Sequence, residues 1–189
     1  MIKPAVFLDR DGTINEQMGY VNDLCRFVLL PHTAEAIRML NEHDYWTIII
    51  SNQSGVARGY FPIDLVHSVH ARMQTLLARE GAHVDGIYFC PHYPGARVEA
   101  FGEACNCRKP RPGLIEKACR EFKIDLPRSY MVGDRYTDME LAGRMNLTGI
   151  LVMTGYGKGD LKYIIPRSAH KPHHVAQDLL DAVKWILQR

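Results

Sequence analysis

The chain has 189 residues, of which 47% are hydrophobic and 23% charged, a composition typical of a globular protein with a buried core. Its 23 basic and 21 acidic residues give a formal net charge of +2 and are scattered, so the charge pattern excludes the usual nucleic-acid signature. The apolar runs are far shorter than the roughly 20 residues that span a bilayer, and no secretory signal is recognisable. We therefore expect one domain over residues 1–189, cytoplasmic and monomeric, with no membrane or nucleic-acid partner.

Short apolar segments alternate along the chain with segments of helical periodicity. The predicted strands are residues 5–9, 46–51, 85–90, 129–133 and 149–153. The predicted helices are residues 33–43, 62–80, 112–122, 137–145 and 176–188. Nearly all-apolar strands between helices predict a parallel sheet covered on both faces, which is a three-layer αβα, Rossmann-like fold. Ligands of such folds bind where the strands end.

The segments outside this alternation are of two kinds. Residues 12–31 and 91–111 are long loops, which usually carry function. The glycine run at residues 155–159 lacks the spacing of a phosphate-binding loop and is interpreted as a mobile surface loop. The histidines at 170, 173 and 174 are expected to lie in a solvated turn.

Carboxylates follow two of the predicted strands. The first predicted strand ends at Asp9, with Asp11 two residues further on, and Asp134 and Asp138 come after the fourth strand. A turn or a helix cap explains one such group, but not acids at two strand ends that converge on the same edge of a sheet. Carboxylates gathered in this way repel one another unless a cation lies between them, and hard oxygen ligands suit Mg²⁺.

Two further residues near strand ends suit a phosphoryl group, namely the hydroxyl of Ser51 and the ammonium of Lys109. With D-x-D-x-T at residues 9–13 and G-D-x-x-x-D at residues 133–138, they resemble the four motifs of the haloacid dehalogenase superfamily, in the same order. The resemblance covers nearly the whole chain. It implies a haloacid dehalogenase-like fold without a large cap domain, and phosphatase activity through an aspartyl-phosphate.

The resemblance also implies a role for each motif residue. Asp9 would be the nucleophile and Asp11 the general acid and base, which requires its site to hold a proton on Asp11 near neutral pH. Ser51 and Lys109 would stabilise the phosphoryl group. The implied Mg²⁺ ligands are the Asp9 carboxylate, the Asp134 carboxylate and the main-chain carbonyl of Asp11. Asp138 would lie behind these ligands without binding the metal directly.

A zinc site is predicted in the second long loop, at about residues 90–107. The spacing is C-x-H, twelve residues and then C-x-C, which gives four nitrogen or sulfur ligands, the number in a closed structural zinc site. The alternative is a set of unconnected reduced thiols. The predicted ligands are Cys90, His92, Cys105 and Cys107. Such a site would order the loop that carries Arg108 and Lys109.

This zinc loop narrows the resemblance to the histidinol-phosphatase-related subfamily. The twelve residues between the two ligand pairs make this loop similar to that of the subfamily members that hydrolyse a sugar bisphosphate. The resemblance implies a phosphorylated sugar as substrate and a role in making lipopolysaccharide or surface glycans. Arg135 stands where other members carry Lys. The substrate-binding residues that the resemblance implies are Gln17, Met18, Gly19, Tyr20, Ser51, Asn52, Gln53, Ser54, Arg108, Lys109 and Arg135.

Three alternatives remain open at this point. Histidinol phosphate would use the same catalytic residues, and Glu99 and Glu103 in the zinc loop could face its amine. A non-catalytic, zinc-stapled binding module would keep the fold without turnover, although every catalytic position is filled. Transfer of the phosphoryl group to an acceptor other than water would use the same intermediate. Hydrolysis is the expected reaction.

Overall fold

Six parallel strands form one sheet in the computed structural model, which describes residues 2–189. The sheet order is β3-β2-β1-β4-β5-β6. The strands are β1 Ala5–Leu8, β2 Trp46–Asn52, β3 Gly86–Cys90, β4 Tyr130–Gly133, β5 Thr148–Val152 and β6 His174–Ala176. The helices are α1 Thr33–Glu42, α2 Ile63–Arg79, α3 Gly113–Glu121, α4 Tyr136–Arg144, the short α5 Gly157–Gly159 and α6 Leu179–Ile186. The predicted parallel αβα fold is confirmed.

Helices cover both faces of the sheet. In β1, Val6 and Leu8 point to one face and Ala5 and Phe7 to the other, and all four are fully buried. The first face packs against α1, α2 and α6, and the second packs against α3 and α4. Burial on both sides explains why the strand sequences are continuous apolar runs rather than alternating ones.

The strand register brings the polar strand ends together. Leu8 of β1 lies beside Ile49 of β2 and beside Val132 of β4. The next residue, Asp9, donates its main-chain N–H to the Val132 carbonyl at 2.9 Å. The residues that follow these three central strands therefore meet at one edge of the sheet, as the parallel fold requires.

The sheet has one strand more than the sequence predicted. His174 pairs with Ile150 of β5, and its ring stacks on Trp185 with the ring centroids 4.5 Å apart. His173 accepts a hydrogen bond on Nδ1 from the Gly149 N–H at 3.0 Å. His173 is exposed and lies in a bend, as expected, whereas His174 lies in a strand. The expected solvated turn is therefore wrong at His174, because a three-residue edge strand leaves no periodic pattern to read.

Among residues 2–189, no helix combines the length and the apolar character that crossing a bilayer requires. The cytoplasmic location, the monomeric state and the single-domain organisation stay predictions.

Candidate active site

Three carboxylates and one ammonium group lie together where β1 and β4 end. Asp9 follows β1, Asp134 follows β4 and Asp138 lies in the first turn of α4. Lys109 is 4% exposed, and its Nζ lies 2.8 Å from Asp9 Oδ1 and 2.7 Å from Asp138 Oδ1. Although burial alone would lower the pKa of Lys109, the neighbouring carboxylates, Asp138 first, raise it and keep the amine charged.

The same carboxylates fit a divalent cation. Burial, with repulsion from Asp9, raises the pKa of Asp134 to about 8, and burial raises that of Asp9 to about 6. Asp134 accepts a hydrogen bond on Oδ2, while its buried Oδ1 has no hydrogen-bond partner. Asp9, Asp134 and Asp138 each offer an oxygen within 4.8 Å of the others. Such an all-oxygen cluster, with one free oxygen, matches the preference of Mg²⁺.

Asp138 holds Lys109 and the start of α4. Its Oδ1 contacts the Lys109 ammonium, and its Oδ2 accepts the Arg135 main-chain N–H at 3.1 Å. Asp138 Oδ1 therefore makes an ion contact but, like Asp134 Oδ1, no hydrogen bond, whereas Oδ2 is hydrogen-bonded. This arrangement agrees with a place behind the ligands rather than among them.

The Asp11 carboxylate is surrounded by donors, which the sequence analysis did not anticipate. Nη2 of Arg10 donates to its two oxygens at 2.9 and 2.8 Å. Asn15 Nδ2 donates to Oδ1 at 2.9 Å, and Gln53 Nε2 donates to Oδ2 at 2.8 Å. Burial alone would raise the pKa of Asp11, but Arg10 and these hydrogen bonds hold it below its usual value. The expectation that this site keeps Asp11 protonated near neutral pH is therefore wrong for this arrangement.

A buried histidine supports Arg10 from behind. Arg10 is 1% exposed, and its Nη1 lies 3.2 Å from Nε2 of His70 on α2. Burial, together with the Arg10 charge, lowers the pKa of His70 to about 3, so the ring is neutral and accepts the arginine hydrogen. Sequence reasoning missed both residues, since Arg10 occupies the variable position of its motif and His70 is 60 residues away.

Residues at the end of β2 and directly after it support the site from the other side. Ser51 Oγ accepts a hydrogen bond from Gln53 Nε2 at 2.8 Å, and the same nitrogen donates to Asp11. Asn52 Oδ1 accepts the Lys109 N–H at 3.0 Å, and Asn52 Nδ2 donates to the Lys109 carbonyl at 3.2 Å. The Asn52 amide thus holds the main chain that carries the Lys109 ammonium.

A cleft of about 330 Å³ opens above these groups. Its lining residues are Asp9, Asp11, Gln17, Gly19, Tyr20, Val21, Asn52, Gln53, Ser54, Arg108, Lys109, Arg135, Thr137 and Tyr156. Of the predicted substrate-binding residues, Met18 and the buried Ser51 lie outside this lining. Val21, Thr137 and Tyr156 line the cleft although the sequence analysis did not name them.

The segment after β5 packs against the first motif. Thr154 Oγ1 donates to the Gly12 carbonyl at 2.6 Å, and the Tyr156 N–H donates to Asp134 Oδ2 at 2.8 Å. The interpretation of this glycine-containing segment as a mobile surface loop is therefore wrong where it contacts the site. Its sequence signal was ambiguous, because the contacts join positions more than 20 residues apart.

The four predicted zinc ligands lie together at the end of β3. Cys90 Sγ lies 3.4 Å from Cys105 Sγ and 3.0 Å from Cys107 Sγ, and His92 Nδ1 lies 3.3 Å from Cys107 Sγ. The thiols are not joined by disulfides. Ligand atoms around tetrahedral zinc are roughly 3–4 Å apart, given bonds of about 2.0–2.3 Å. Burial raises the pKa of the Cys90 thiol, so a cation is needed to hold it as thiolate.

The same loop carries Arg108 to the cleft. Arg108 Nη1 donates to the His92 carbonyl at 3.4 Å, and its guanidinium lies 5.1 Å from the centroid of the Tyr93 ring. Arg58 contacts this ring as well, with its guanidinium 3.7 Å from the centroid. The order of the Cys/His cluster therefore decides where the Arg108 side chain points.

Comparisons with known proteins find similar sequences over nearly the whole chain. A family model described as HAD-hydrolase-like matches residues 106–182. The D-glycero-D-manno-heptose-1,7-bisphosphate 7-phosphatase of Thermosynechococcus vestitus is 43% identical over 190 residues, covering 98% of this chain and 96% of its own. The D-glycero-beta-D-manno-heptose-1,7-bisphosphate 7-phosphatase of Escherichia coli K12 is 40% identical over 184 residues, covering 97% and 93%.

A solved structure shows the same likeness. It is the D,D-heptose 1,7-bisphosphate phosphatase of B. bronchiseptica in complex with magnesium and phosphate. The two chains superpose with a TM-score of 0.86 at 32% sequence identity, covering 100% of this chain and 99% of the other. The alignment thus spans the segments of this chain that form the cleft, the Cys/His loop and all six strands.

Proposed function

Because the chain belongs to the D-glycero-D-manno-heptose-1,7-bisphosphate 7-phosphatase family of haloacid dehalogenase-like hydrolases, we propose that it removes the C7 phosphate of D-glycero-D-manno-heptose 1,7-bisphosphate. The product, heptose 1-phosphate, would serve the synthesis of ADP- or GDP-heptose for lipopolysaccharide or surface glycans. The observation that carries the proposal is the buried cluster of Asp9, Lys109, Asp134 and Asp138 beneath an open cleft with cationic walls.

The reaction has two steps, and the residues at the bottom of the cleft perform both. An Asp9 oxygen attacks phosphorus, the bond to the C7 oxygen breaks, and Asp11 protonates that leaving oxygen. Water then attacks the aspartyl-phosphate, Asp11 takes the water proton, and phosphate leaves with Asp9 restored. Because Arg10 and the hydrogen bonds hold the pKa of Asp11 below its usual value, Asp11 must take up a proton from solvent before the first step. To accept that proton, its carboxylate must release at least one of the donors Arg10, Asn15 and Gln53.

Lys109 and Ser51 hold the phosphoryl oxygens. The Lys109 ammonium is charged and already lies beside Asp9, so it can offset the negative charge of the transferring group without reorganisation. Ser51 supplies a hydroxyl, which Gln53 links to Asp11. Asp138 keeps the ammonium in place.

Two metals complete the proposed site. Mg²⁺ would be held by Asp9, Asp134 and the main-chain carbonyl of Asp11, and it would supply positive charge for the phosphoryl oxygens. The B. bronchiseptica structure contains magnesium and phosphate. Zn²⁺ would be held by Cys90, His92, Cys105 and Cys107. It would be structural, because four protein ligands leave no open position on the metal.

The walls of the cleft favour an anionic substrate over an amine. Arg108, Lys109 and Arg135 line the cleft, and its acidic lining residues are the catalytic pair Asp9 and Asp11. Glu103 of the zinc loop is not in this lining; it lines an adjacent cavity that shares Arg108 and Lys109 with the cleft. A second phosphate can accept forked hydrogen bonds from arginine, whereas the amine of histidinol phosphate meets no spare carboxylate here.

The decisive experiment is phosphate release with Mg²⁺ from heptose 1,7-bisphosphate and from histidinol phosphate, side by side, with Asp9→Asn as the blank. We expect kcat/KM to favour the bisphosphate by about a hundredfold or more. Preference for histidinol phosphate would overturn the substrate and keep the mechanism. Release that is undiminished in Asp9→Asn would overturn the catalytic assignment.

A further inference from the structure

The segment after β5 reaches the cleft only because two of its glycines allow close approach. Gly155 has φ +51°, and a Cβ there would lie 2.1 Å from Asp134 Oδ2 and 2.8 Å from the Gly12 Cα. A Cβ at Gly157 would lie 1.8 Å from the Val152 carbonyl oxygen. Side chains at these positions would push the segment away from the strand ends. The glycines therefore place Tyr156 and Asp160 beside the start of α4.

Both residues contact the side chain of Arg135. Arg135 Nε donates to Asp160 Oδ2 at 3.1 Å, and the Arg135 guanidinium carbon lies 4.4 Å from the centroid of the Tyr156 ring. The Arg135 side chain is 44% exposed, whereas that of Asp160 is 10% exposed. An exposed side chain is thus fixed at two points, one of them a nearly buried carboxylate.

This arrangement leaves the two terminal nitrogens of Arg135 unused by Asp160. The contact with Asp160 uses Nε, so the terminal nitrogens remain available to fork onto an anion in the cleft that Arg135 lines. Lys could not offer the same fork, because the carboxylate and the anion would have to share its single nitrogen. An arginine that is ordered before binding loses less conformational freedom when it binds.

We propose that Asp160 and Tyr156 are positioning residues that preset Arg135 to bind the second phosphate of the substrate, the one that is not transferred. The inference rests on the proposed function. The transferred phosphoryl group belongs at Asp9 and Lys109, which are buried, whereas Arg135 and Tyr156 are partly exposed on the wall of the cleft. They therefore face the part of the substrate that projects outward.

The test compares a substrate that has a second phosphate with one that lacks it. Asp160→Asn removes the negative charge that holds the Arg135 guanidinium. It keeps an oxygen that can accept the Tyr136 N–H, now bonded at 2.7 Å to the same Oδ2 as Arg135, so the start of α4 stays capped. Tyr156→Leu keeps the main-chain N–H that binds Asp134. The measured quantity is the ratio of kcat/KM for heptose 1,7-bisphosphate to kcat/KM for p-nitrophenyl phosphate.

We expect each variant to lower this ratio about tenfold, mainly through KM for the bisphosphate. Arg135→Ala should lower it at least as far, and adding Asp160→Asn to Arg135→Ala should lower it no further. The matched controls are Tyr163→Leu, an exposed tyrosine in the same segment, and Asp44→Asn, an exposed aspartate. Both should leave the ratio unchanged.

The outcomes separate this inference from the proposed function. A wild-type protein that does not prefer the bisphosphate would overturn the proposed function, and this inference with it. A wild-type protein that prefers it, with Asp160→Asn and Tyr156→Leu retaining the full preference, would overturn the inference alone. Equal losses on both substrates would assign the two residues a structural role and overturn it as well.

Discussion

The floor and the rim of the cleft are built differently. The floor comprises Asp9, Ser51, Lys109, Asp134 and Asp138, all of which are buried. The rim comprises Tyr20, Arg108, Arg135 and Tyr156, which are partly exposed and lie outside the strands. On the floor, Asp9, Ser51 and Asp134 lie in or directly after paired strands. The rim residues are held by local contacts instead: Tyr20 by the Tyr60 ring, Arg108 by the loop of the Cys/His cluster, and Arg135 by Asp160 and the Tyr156 ring.

The difference separates chemistry from recognition. The charges on the floor are buried, so they interact more strongly with one another than charges in water do. Side chains on the rim are screened by solvent, and they contribute through where they point. Damage to the floor should therefore reduce turnover of every phosphate ester, whereas damage to the rim should change which ester is preferred.

The largest effect is expected from Asp9→Asn. The change keeps the shape of the side chain but removes the nucleophile, so phosphate release should fall by at least about 10⁴-fold for every substrate. The measurement is phosphate release, with a thermal melt as the control for folding. Because metal-free Asp9 is a buried carboxylate among others, the melting temperature should not fall. Turnover in this variant near the wild-type rate would contradict the role of Asp9 as nucleophile, and with it the assignment of the chemistry to the floor.

Lys109→Met should reduce kcat by about 10³-fold, because the ammonium that offsets phosphoryl charge is lost. It also leaves Asp9 and Asp138 without their buried partner, which should cost about 3 kcal/mol of unfolding free energy. Adding Asp138→Asn should restore part of the stability and none of the activity. Urea unfolding and phosphate release check the two parts. A double variant that regains turnover would contradict the catalytic role of Lys109.

Loss of the Cys/His cluster should act on the rim. We expect about one zinc per chain by mass spectrometry under native conditions, and less in Cys107→Ser. Because the cluster orders the loop that carries Arg108, kcat/KM for the bisphosphate should fall by about 10²-fold, and that for p-nitrophenyl phosphate by less. Cys119→Ser, outside the cluster, is the matched control. Equal losses of kcat/KM on both substrates would contradict a role of this loop in substrate preference.

Binding of Mg²⁺ to the floor should weaken as the pH falls. Asp134 has a pKa of about 8 and Asp9 of about 6 without metal, so below these values a proton must leave before the cation binds. The apparent affinity should fall by about tenfold per pH unit for each proton displaced between pH 8 and pH 6. Calorimetric titration at three pH values measures this, and an affinity independent of pH would contradict it.

The smallest effect is expected beneath the floor, at His70. Its folded-state pKa of about 3 lies below the unfolded value, so the unfolded chain binds the extra proton and stability is lost as the pH falls below about 6.5. Between pH 7 and pH 5.5 this amounts to about 1 kcal/mol of unfolding free energy. The free energy of unfolding of His70→Gln, measured by urea unfolding, should fall less than that of the wild type over this pH interval. A variant with the same pH dependence as the wild type would contradict a neutral, buried His70.

The sequence predicted most of the floor correctly. Continuous apolar strands, each followed by polar residues, identify a parallel sheet and the edge at which its ligands bind, so Asp9, Ser51 and Asp134 could be placed together without coordinates. The Cys/His spacing likewise identified a four-ligand cluster. Both patterns are local, because they depend on short segments and on a rule that connects strand ends.

Only the tertiary structure decided how these groups are tuned. The low pKa of Asp11 depends on Arg10, Asn15 and Gln53, and Arg10 depends on His70. The orientation of Arg135 depends on Asp160, 25 residues further along the chain. The short strand β6 gave no periodic signal. Sequence patterns record which residues are available at a strand end, but burial and contacts between distant segments decide their charge, their orientation and the substrate they select.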